Sequence, residues 1–319
     1  MNECVIAENP EALPARGHRP VCVALGFFDG VHLGHQQVIR QMLAEARAHD
    51  AAAVVVTFDE HPATVVAPQR VPPLIQTRAQ RLRTLAGLGP DAIWVLRFDE
   101  ALSRLNPEEF VELLQGGVGR LRSVCVGANF RFGHRRAGDV RFLEESGRRH
   151  GFTVHAFSVV ALDGNVISST RVRQAIATGH LDVAAQMLGR PWALAGQVVA
   201  GDGLGRRLGF PTANLDVRGL VLPPRGVYAA RCAVDGRTYR AALNIGLRPT
   251  VTTTRADLRV EVHLLDFSGD LYGRELEVVV IEKIRDERKF DSLEALTRQI
   301  RSDLERVRED WAERRSGVE

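Results

Sequence analysis

Short apolar runs and stretches of helical spacing alternate through the first half of the chain. Residues 20–25 read as a buried strand and 36–49 as a helix. Residues 52–58 form one continuous apolar run rich in valine, the pattern of a parallel strand covered on both faces. A helix over 77–88, a strand over 92–96, a helix over 106–114, a strand over 123–127, a helix over 140–150 and a strand over 153–160 follow. Asn106-Pro107-Glu108-Glu109 is a strong helix start, with a capping side chain, proline at the first position and acids in the first turn. The series predicts a doubly wound parallel α/β sheet, whose ligand site lies at the carboxyl ends of its strands.

The pattern changes near Leu188-Gly189-Arg190-Pro191, after a helix over 181–188. Strands are then expected at 192–200, 226–234, 238–244, 259–265 and 275–284, with Asp235-Gly236 as a hairpin turn. Closely spaced strands with such turns predict an antiparallel barrel or sandwich. Leu293, Leu296, Ile300, Leu304, Val307 and Trp311 form an apolar stripe on a terminal helix, read as a face packed on that barrel. The expected domains are 1–188 and 189–319.

Composition narrows the field. The 319 residues are 45% hydrophobic and 25% charged, and the net charge of +3 is too mild to argue for nucleic acid. The only lysines are Lys283 and Lys289, against 40 arginines, which excludes a lysine-dependent mechanism earlier in the chain. Cys4, Cys22, Cys125 and Cys232 lack zinc or disulfide spacing. The first twenty residues lack a signal-peptide pattern, and no apolar run approaches membrane-spanning length. A cytoplasmic protein with no membrane or nucleic-acid partner is expected, with a homo-oligomer left open.

The candidate chemistry begins with Gly26-Phe27-Phe28-Asp29-Gly30-Val31-His32-Leu33-Gly34-His35. A glycine-rich turn between strand and helix lets a phosphate approach the backbone, and the helix N-terminus favours its charge. His32 and His35, three apart, can face one ligand and offset charge on a phosphate in transfer. Three more clusters fall at strand or helix ends. In the turn 57–62, Asp59 and His61 could touch a nucleotide or metal, although a capped turn suits them slightly better in isolation. In the loop 127–139, Asn129, Phe130 and Arg131 suit an aromatic ring with phosphates. At Ile167-Ser168-Ser169-Thr170-Arg171-Val172-Arg173 the hydroxyls can cap a helix or hold an anion, which Arg173 could join. In the second half, Gly201, Gly203, Gly205 and Gly209 punctuate a loop leading to Thr212 and Asn214, hard oxygen ligands on one side of extended chain. It matches no Walker or protein-kinase signature. By the same alternation Arg259, Glu261 and His263 share a face, and Arg248 and Arg285 are weaker phosphate candidates.

Together these motifs resemble a known family. Gly-x-Phe-Asp-Gly-Val-His-x-Gly-His, Thr-Phe-Asp-x-His-Pro, Gly-x-Asn-Phe-x-Phe-Gly and Ile-Ser-Ser-Thr-x-x-Arg look like the adenylyltransferase module of bacterial bifunctional riboflavin kinase/FAD synthetase. Leu-Gly-Phe-Pro-Thr-Ala-Asn, Asn-Ile-Gly-Leu-Arg-Pro-Thr and Glu-Val-His-Leu-Leu-Asp look like its riboflavin kinase module. The resemblance spans about residues 20–314. It implies a nucleotidyltransferase (Rossmann-like) domain and a β-barrel with a terminal helix. It further implies ATP-dependent conversion of riboflavin to FMN, adenylylation of FMN to FAD, and Mg2+ in both sites. By residue, it implies catalysis by His32, His35 and Glu261. Gly26, Phe28, Asp29, Gly34, Ser169, Thr170 and Arg173 would hold ATP in the first half, and Asp59, His61, Asn129, Phe130 and Arg131 the FMN/nucleotide loop. The four glycines of the second loop, Thr212 and Asn214 would hold the other ATP, with magnesium on Thr212 and Asn214. Three positions depart from the family pattern: Glu60 for proline, Ala200 for histidine, and Val166 for an arginine expected to contact phosphate. A class I aminoacyl-tRNA synthetase shares His-x-Gly-His but usually carries lysines in its second signature. Two other readings remain: a riboflavin kinase with a silent first domain, and a non-catalytic flavin or nucleotide binder.

Overall fold

The structure, a computed structural model, describes residues 4–13, 19–247 and 258–316. The chain divides into two compact units, Met1–Arg171 and Val172–Glu319.

The first unit contains β1 (Val5–Ala7), β2 (Val21–Leu25), α1 (Leu33–Ala48), β3 (Ala52–Phe58), α2 (Ala63–Val66), α3 (Arg78–Ala86), β4 (Ala92–Leu96), α4 (Glu100–Arg104), α5 (Pro107–Val118), β5 (Leu121–Gly127), α6 (Val140–His150) and β6 (Thr153–Phe157). A small hairpin, β7 (Ala161–Leu162) and β8 (Asn165–Val166), leads to α7 (Ser169–Ala177), inside which the division between the units falls. The six long-range strands pair in the order β1-β4-β3-β2-β5-β6, all parallel. Alternate residues of the central strands go to opposite layers, as a period of two demands. Val23, Val54, Trp94 and Val124 meet Val111 and Leu114 of α5 and Leu143 of α6. Cys22, Val55, Ile93 and Cys125 meet Ile39 and Met42 of α1 and Leu85 of α3. Buried Cys22 and Cys125 are thus ordinary core residues, and burial pushes both thiols up, Cys125 to about 12. The chain order reverses between β2 and β5, so the crevice at their carboxyl ends is the switch point where such sheets bind ligands. Asn106 caps α5 in a capping box closed by Glu109.

The second unit holds α8 (Leu181–Leu188), β9 (Ala193–Val199), α9 (Leu204–Arg207), β10 (Ala213–Asp216), β11 (Gly226–Val234), β12 (Arg237–Leu247), β13 (Leu258–Leu264), β14 (Glu275–Asp286) and α10 (Leu293–Ser316). The strands close into a barrel in the order β10-β13-β12-β11-β14-β9, every pair antiparallel. Inward residues such as Leu243, Ile245, Val260 and Val262 are buried. On the outer face, Val227, Ala229, Leu265 and Ile284 are covered by Leu304 and Val307 of α10, with Ile300 packed alongside. At its start the expected stripe is not covered, since Leu293 is 56% exposed; the side chain of Trp311 lies outside the described residues.

Candidate active sites

The loop between β2 and α1 turns within a few residues. Phe28 and Val31 take φ of 58° and 42°, a region that side chains, β-branched ones above all, strongly disfavour. Surrounding contacts hold that strain. Both carboxylate oxygens of Asp29 accept from the Ile75 amide, at 3.0 and 3.1 Å, and the Ser169 hydroxyl donates to the Asp29 carbonyl at 2.9 Å. Asp29 is thus an internal anchor, and Ser169 ties the start of α7 to this loop. Phe28 is buried, with its ring edge-on to His35 at 5.3 Å. A Cβ on Gly34 would lie 3.2 Å from the His32 ring, and one on Gly26 3.0 Å from the Phe28 ring, so both positions need close backbone approach.

His32 is the N-cap of α1, its Nδ1 accepting the His35 amide at 3.4 Å. In the neutral ring the proton then sits on Nε2, which is a donor. The His32 and His35 rings stack with centroids 3.6 Å apart and planes 19° from parallel. Burial, and next the adjacent His32, hold His35 well below the usual histidine range, so it is neutral at physiological pH. The three-residue spacing thus brings the two imidazoles together at the start of α1.

The neighbouring clusters serve local order as well. The Asp59 carboxylate accepts the Glu60 and Phe98 amides at 2.7 and 2.8 Å. His61 Nδ1 accepts the Ala63 amide at 3.1 Å, and its ring meets Phe27 edge-on at 4.9 Å. Beyond β5, Asn129 is exposed, Phe130 stacks on Phe132 at 5.6 Å, and exposed Arg131 pairs with Asp139 at 3.0 Å. Ser168 caps the Arg171 amide at 3.3 Å. Thr170 is exposed on the first turn of α7, and Arg173 follows on the same helix. Val166 is exposed on β8, where Arg171 donates to the carbonyls of Leu162 and Asn165 at 3.1 and 2.8 Å.

In the second unit, register places Asn214, Glu261 and Asn244 side by side on β10, β13 and β12. Cross-strand neighbours of this kind hold their Cβ atoms about 5 Å apart, so the carboxylate lies between two carboxamides. All three are half-buried on the outer face. The residues flanking Glu261 on that face pin the glycine-rich loop. Arg259 pairs with Asp202 at 2.8 Å, and His263 Nδ1 donates to the Pro211 carbonyl at 2.8 Å. Gly203 and Gly209 bend the loop with φ of 67° and 86°. Gly201 lies over Asn214, where a Cβ would come within 2.2 Å of its Nδ2. Gly205 lies over Thr212, where a Cβ would stand 3.1 Å from Oγ1 and 2.4 Å from the Phe210 carbonyl. Arg285, a weak phosphate candidate in the sequence, is instead occupied: its Nη2 and Nε reach Asp303 of α10 at 2.8 and 2.9 Å. Arg248 and Thr250 lie outside the described residues.

Two residues that sequence reasoning left without a role stand out. Asn244 was part of a quoted motif, but its place beside Glu261 needs the β12–β13 register. Arg81 is a cation with 2% exposure, and its only signal is a charge four residues before Leu85 on the buried face of α3.

The FAD synthetase family pattern matches residues 15–171, and the riboflavin kinase pattern 188–311. A bifunctional riboflavin kinase/FMN adenylyltransferase of Pseudomonas fluorescens is 40% identical over 292 residues, covering 91% of this chain and 93% of its own. Its counterpart in Escherichia coli K12 is 40% identical over 290 residues, covering 90% and 92%. A crystal structure described as a macrolide-efflux protein from Streptococcus pneumoniae has a TM-score of 0.78 at 30% identity, covering 96% of this chain and 99% of that one. No helix among the described residues is long and apolar enough to cross a membrane. With both patterns matched in order, and relatives aligned along nearly their whole length, this chain belongs to the bifunctional riboflavin kinase/FMN adenylyltransferase family.

Proposed function

We infer that this chain phosphorylates riboflavin with ATP to give FMN, then joins FMN to the AMP of a second ATP, giving FAD and pyrophosphate. The kinase step belongs to residues 189–319 and the adenylyl step to residues 1–188. The observation that carries this reading is the presence in one chain of two separate constellations: the stacked imidazoles at the start of α1, and Glu261 in line with Asn214 beneath a glycine-rich loop.

In the kinase half, Glu261 takes the proton of the ribityl hydroxyl as its oxygen attacks the γ-phosphorus, and the bond to the β-phosphate oxygen breaks. The loop, held at Asp202 and Pro211, closes over the triphosphate. The hydroxyl of Thr212 and the carbonyl of Asn214 are hard donors that fit Mg2+, and the backbones of Gly201 and Gly205 pack directly against these two side chains. Bound there, the ion would neutralise charge on the phosphates. No cluster of three or more His, Cys, Asp or Glu among the described residues offers an alternative metal site.

In the adenylyltransferase half, an oxygen of the FMN phosphate attacks the α-phosphorus in line, and pyrophosphate leaves with the electron pair of the broken bond. His32, with its proton on Nε2, and neutral His35 stabilise charge that develops on the transferring phosphate. Ser169, Thr170 and Arg173 steady the triphosphate at the start of α7. Phosphorylated flavins and ATP are cytoplasmic metabolites, and we place the protein there.

The test is a product assay. Protein incubated with riboflavin, ATP and magnesium should give FMN first and FAD second by chromatography. FMN alone would refute the adenylyl step and direct attention to Val166. Neither product, with flavin still bound, would reduce the protein to a binder.

A further inference from the structure

Arg81 sits where a cation is least welcome, on the inner face of α3 with 2% exposure. Burial presses its guanidinium down to about 10, still charged at neutral pH. Such a group persists only if its surroundings use it. Its Nη2 donates to the carbonyls of Phe58 and Asp59, at 2.6 and 3.2 Å, where β3 ends. Its Cζ lies 4.0 Å from the centroid of the Phe27 ring, within cation–π range. Phe27 occupies the open position of the Gly-x-Phe-Asp-Gly-Val-His-x-Gly-His motif, next to Phe28 and ahead of Val31 in the strained turn. Phe27 is held twice more: His61 stands edge-on to its ring at 4.9 Å, and its backbone carbonyl accepts the Thr57 hydroxyl at 3.1 Å. One guanidinium therefore clamps two loops at the carboxyl ends of adjacent strands, the 26–32 loop after β2 and the 59–62 turn after β3. Its Nε is buried with no hydrogen-bond partner, so the position is dictated by the clamp rather than by full satisfaction of the side chain.

We propose that Arg81 is a positioning residue of the adenylyltransferase site, acting through Phe27 and the Phe58 and Asp59 carbonyls to fix the imidazole-bearing loop against the turn after β3. The proposal rests on the assignment of FMN adenylylation to this half. Phosphate-transfer geometry is sensitive to displacements of about 1 Å, which can cost on the order of a hundredfold in rate, so loosening either loop should act on turnover.

The experiment compares Arg81→Met, Arg81→Lys and Phe27→Leu in the full-length protein. Steady-state kinetics of both steps are combined with hydrogen exchange of segments 26–34 and 58–63. Arg81→Met should lower kcat for FMN adenylylation at least tenfold, with a smaller change in KM for ATP. Riboflavin phosphorylation should be unchanged. Arg81→Lys keeps a charge over the ring and one carbonyl contact, and should recover most of kcat. Both segments should exchange faster in Arg81→Met. A folded Arg81→Met protein with wild-type kcat and exchange overturns the proposal, as does lower thermal stability with kinetics intact. If Arg81→Met does not fold, Phe27→Leu decides: it should show the same fall in kcat, and unchanged kinetics would overturn the clamp. Wild-type protein that makes FMN but no FAD would refute the functional assignment instead, and exchange of the two segments would then decide the clamp alone.

Discussion

Glu261 and His32 give the sharpest predictions at the scale of single residues, because each serves one step. General-base loss typically costs about 10²–10⁴ in rate. Glu261→Ala should therefore cut FMN formation at least a hundredfold and leave FAD formation from supplied FMN unchanged. His32→Ala should do the reverse, because it removes both the Nε2 donor and the cap of the His35 amide. Chromatography of flavin products reads both, and loss of both steps in either variant would contradict separate sites. These residues were legible in the sequence since each lies in a contiguous motif whose spacing fixes its geometry: three residues along a helix for the imidazoles, alternation along a strand for Arg259, Glu261 and His263. Asp29 was legible as a motif residue, but its task was not. Its carboxylate ends on the Ile75 amide, a partner that only the folded loop brings near. Arg81 was hidden for the same reason: its partners Phe27, Phe58 and Asp59 are joined to it through space.

Whole elements were read where hydrophobic pattern alone sets them and missed where tertiary pairing does. β3, β4 and α6 fall at the expected residues, each carrying either an unbroken apolar run or a helical repeat with a cap. β1 has three residues, a mostly exposed pattern and only β4 for a neighbour, so nothing local marks it. β10 and the short α9 hide inside the glycine-rich loop, whose shape depends on closure over Thr212 and Asn214. That closure is testable. A Cβ on Gly205 would stand 2.4 Å from the backbone carbonyl of Phe210, which must shift. Gly205→Ala should raise KM for ATP and lower kcat in riboflavin phosphorylation while FAD formation from FMN continues. An unchanged kinase would mean that the loop tolerates an opening there. In the other half, α5 and α6 are joined at Glu108, which accepts from His150 Nε2 at 2.8 Å, Arg149 at 2.7 Å and Ser146 at 3.1 Å. The His150 and Arg149 hydrogen bonds, in that order, hold the Glu108 carboxyl down to about 2, against 4.5 for a free glutamate. A depressed carboxyl stabilises the fold above its unfolded value and loses that contribution as pH falls toward the folded one. Melting temperature should therefore fall between about pH 4.5 and 2, and Glu108→Gln should flatten that slope. A slope identical to wild type would remove this joint from the acid sensitivity.

At the scale of the whole molecule, the chain carries two units, each with its own buried core. Glu261 and its loop partners Asp202 and Pro211 all belong to the second unit, and the His32–His35 stack with its anchors Asp29 and Ser169 to the first. Sites built this way should work additively, so a defect in one need not be repaired within the same chain. Equal amounts of the Glu261→Ala and His32→Ala proteins, given riboflavin, ATP and magnesium, should then restore FAD. FMN made by the His32→Ala chain would leave it and be adenylylated by the Glu261→Ala chain. FAD should appear after a lag in which FMN accumulates, and extra Glu261→Ala protein should shorten that lag in proportion. FMN that stays bound to the His32→Ala chain and gives no FAD, while each variant still performs its own step on supplied substrate, would mean that FMN is not released between the steps. The first outcome makes this a fusion of two independent catalysts, and the second makes their linkage in one chain part of the chemistry.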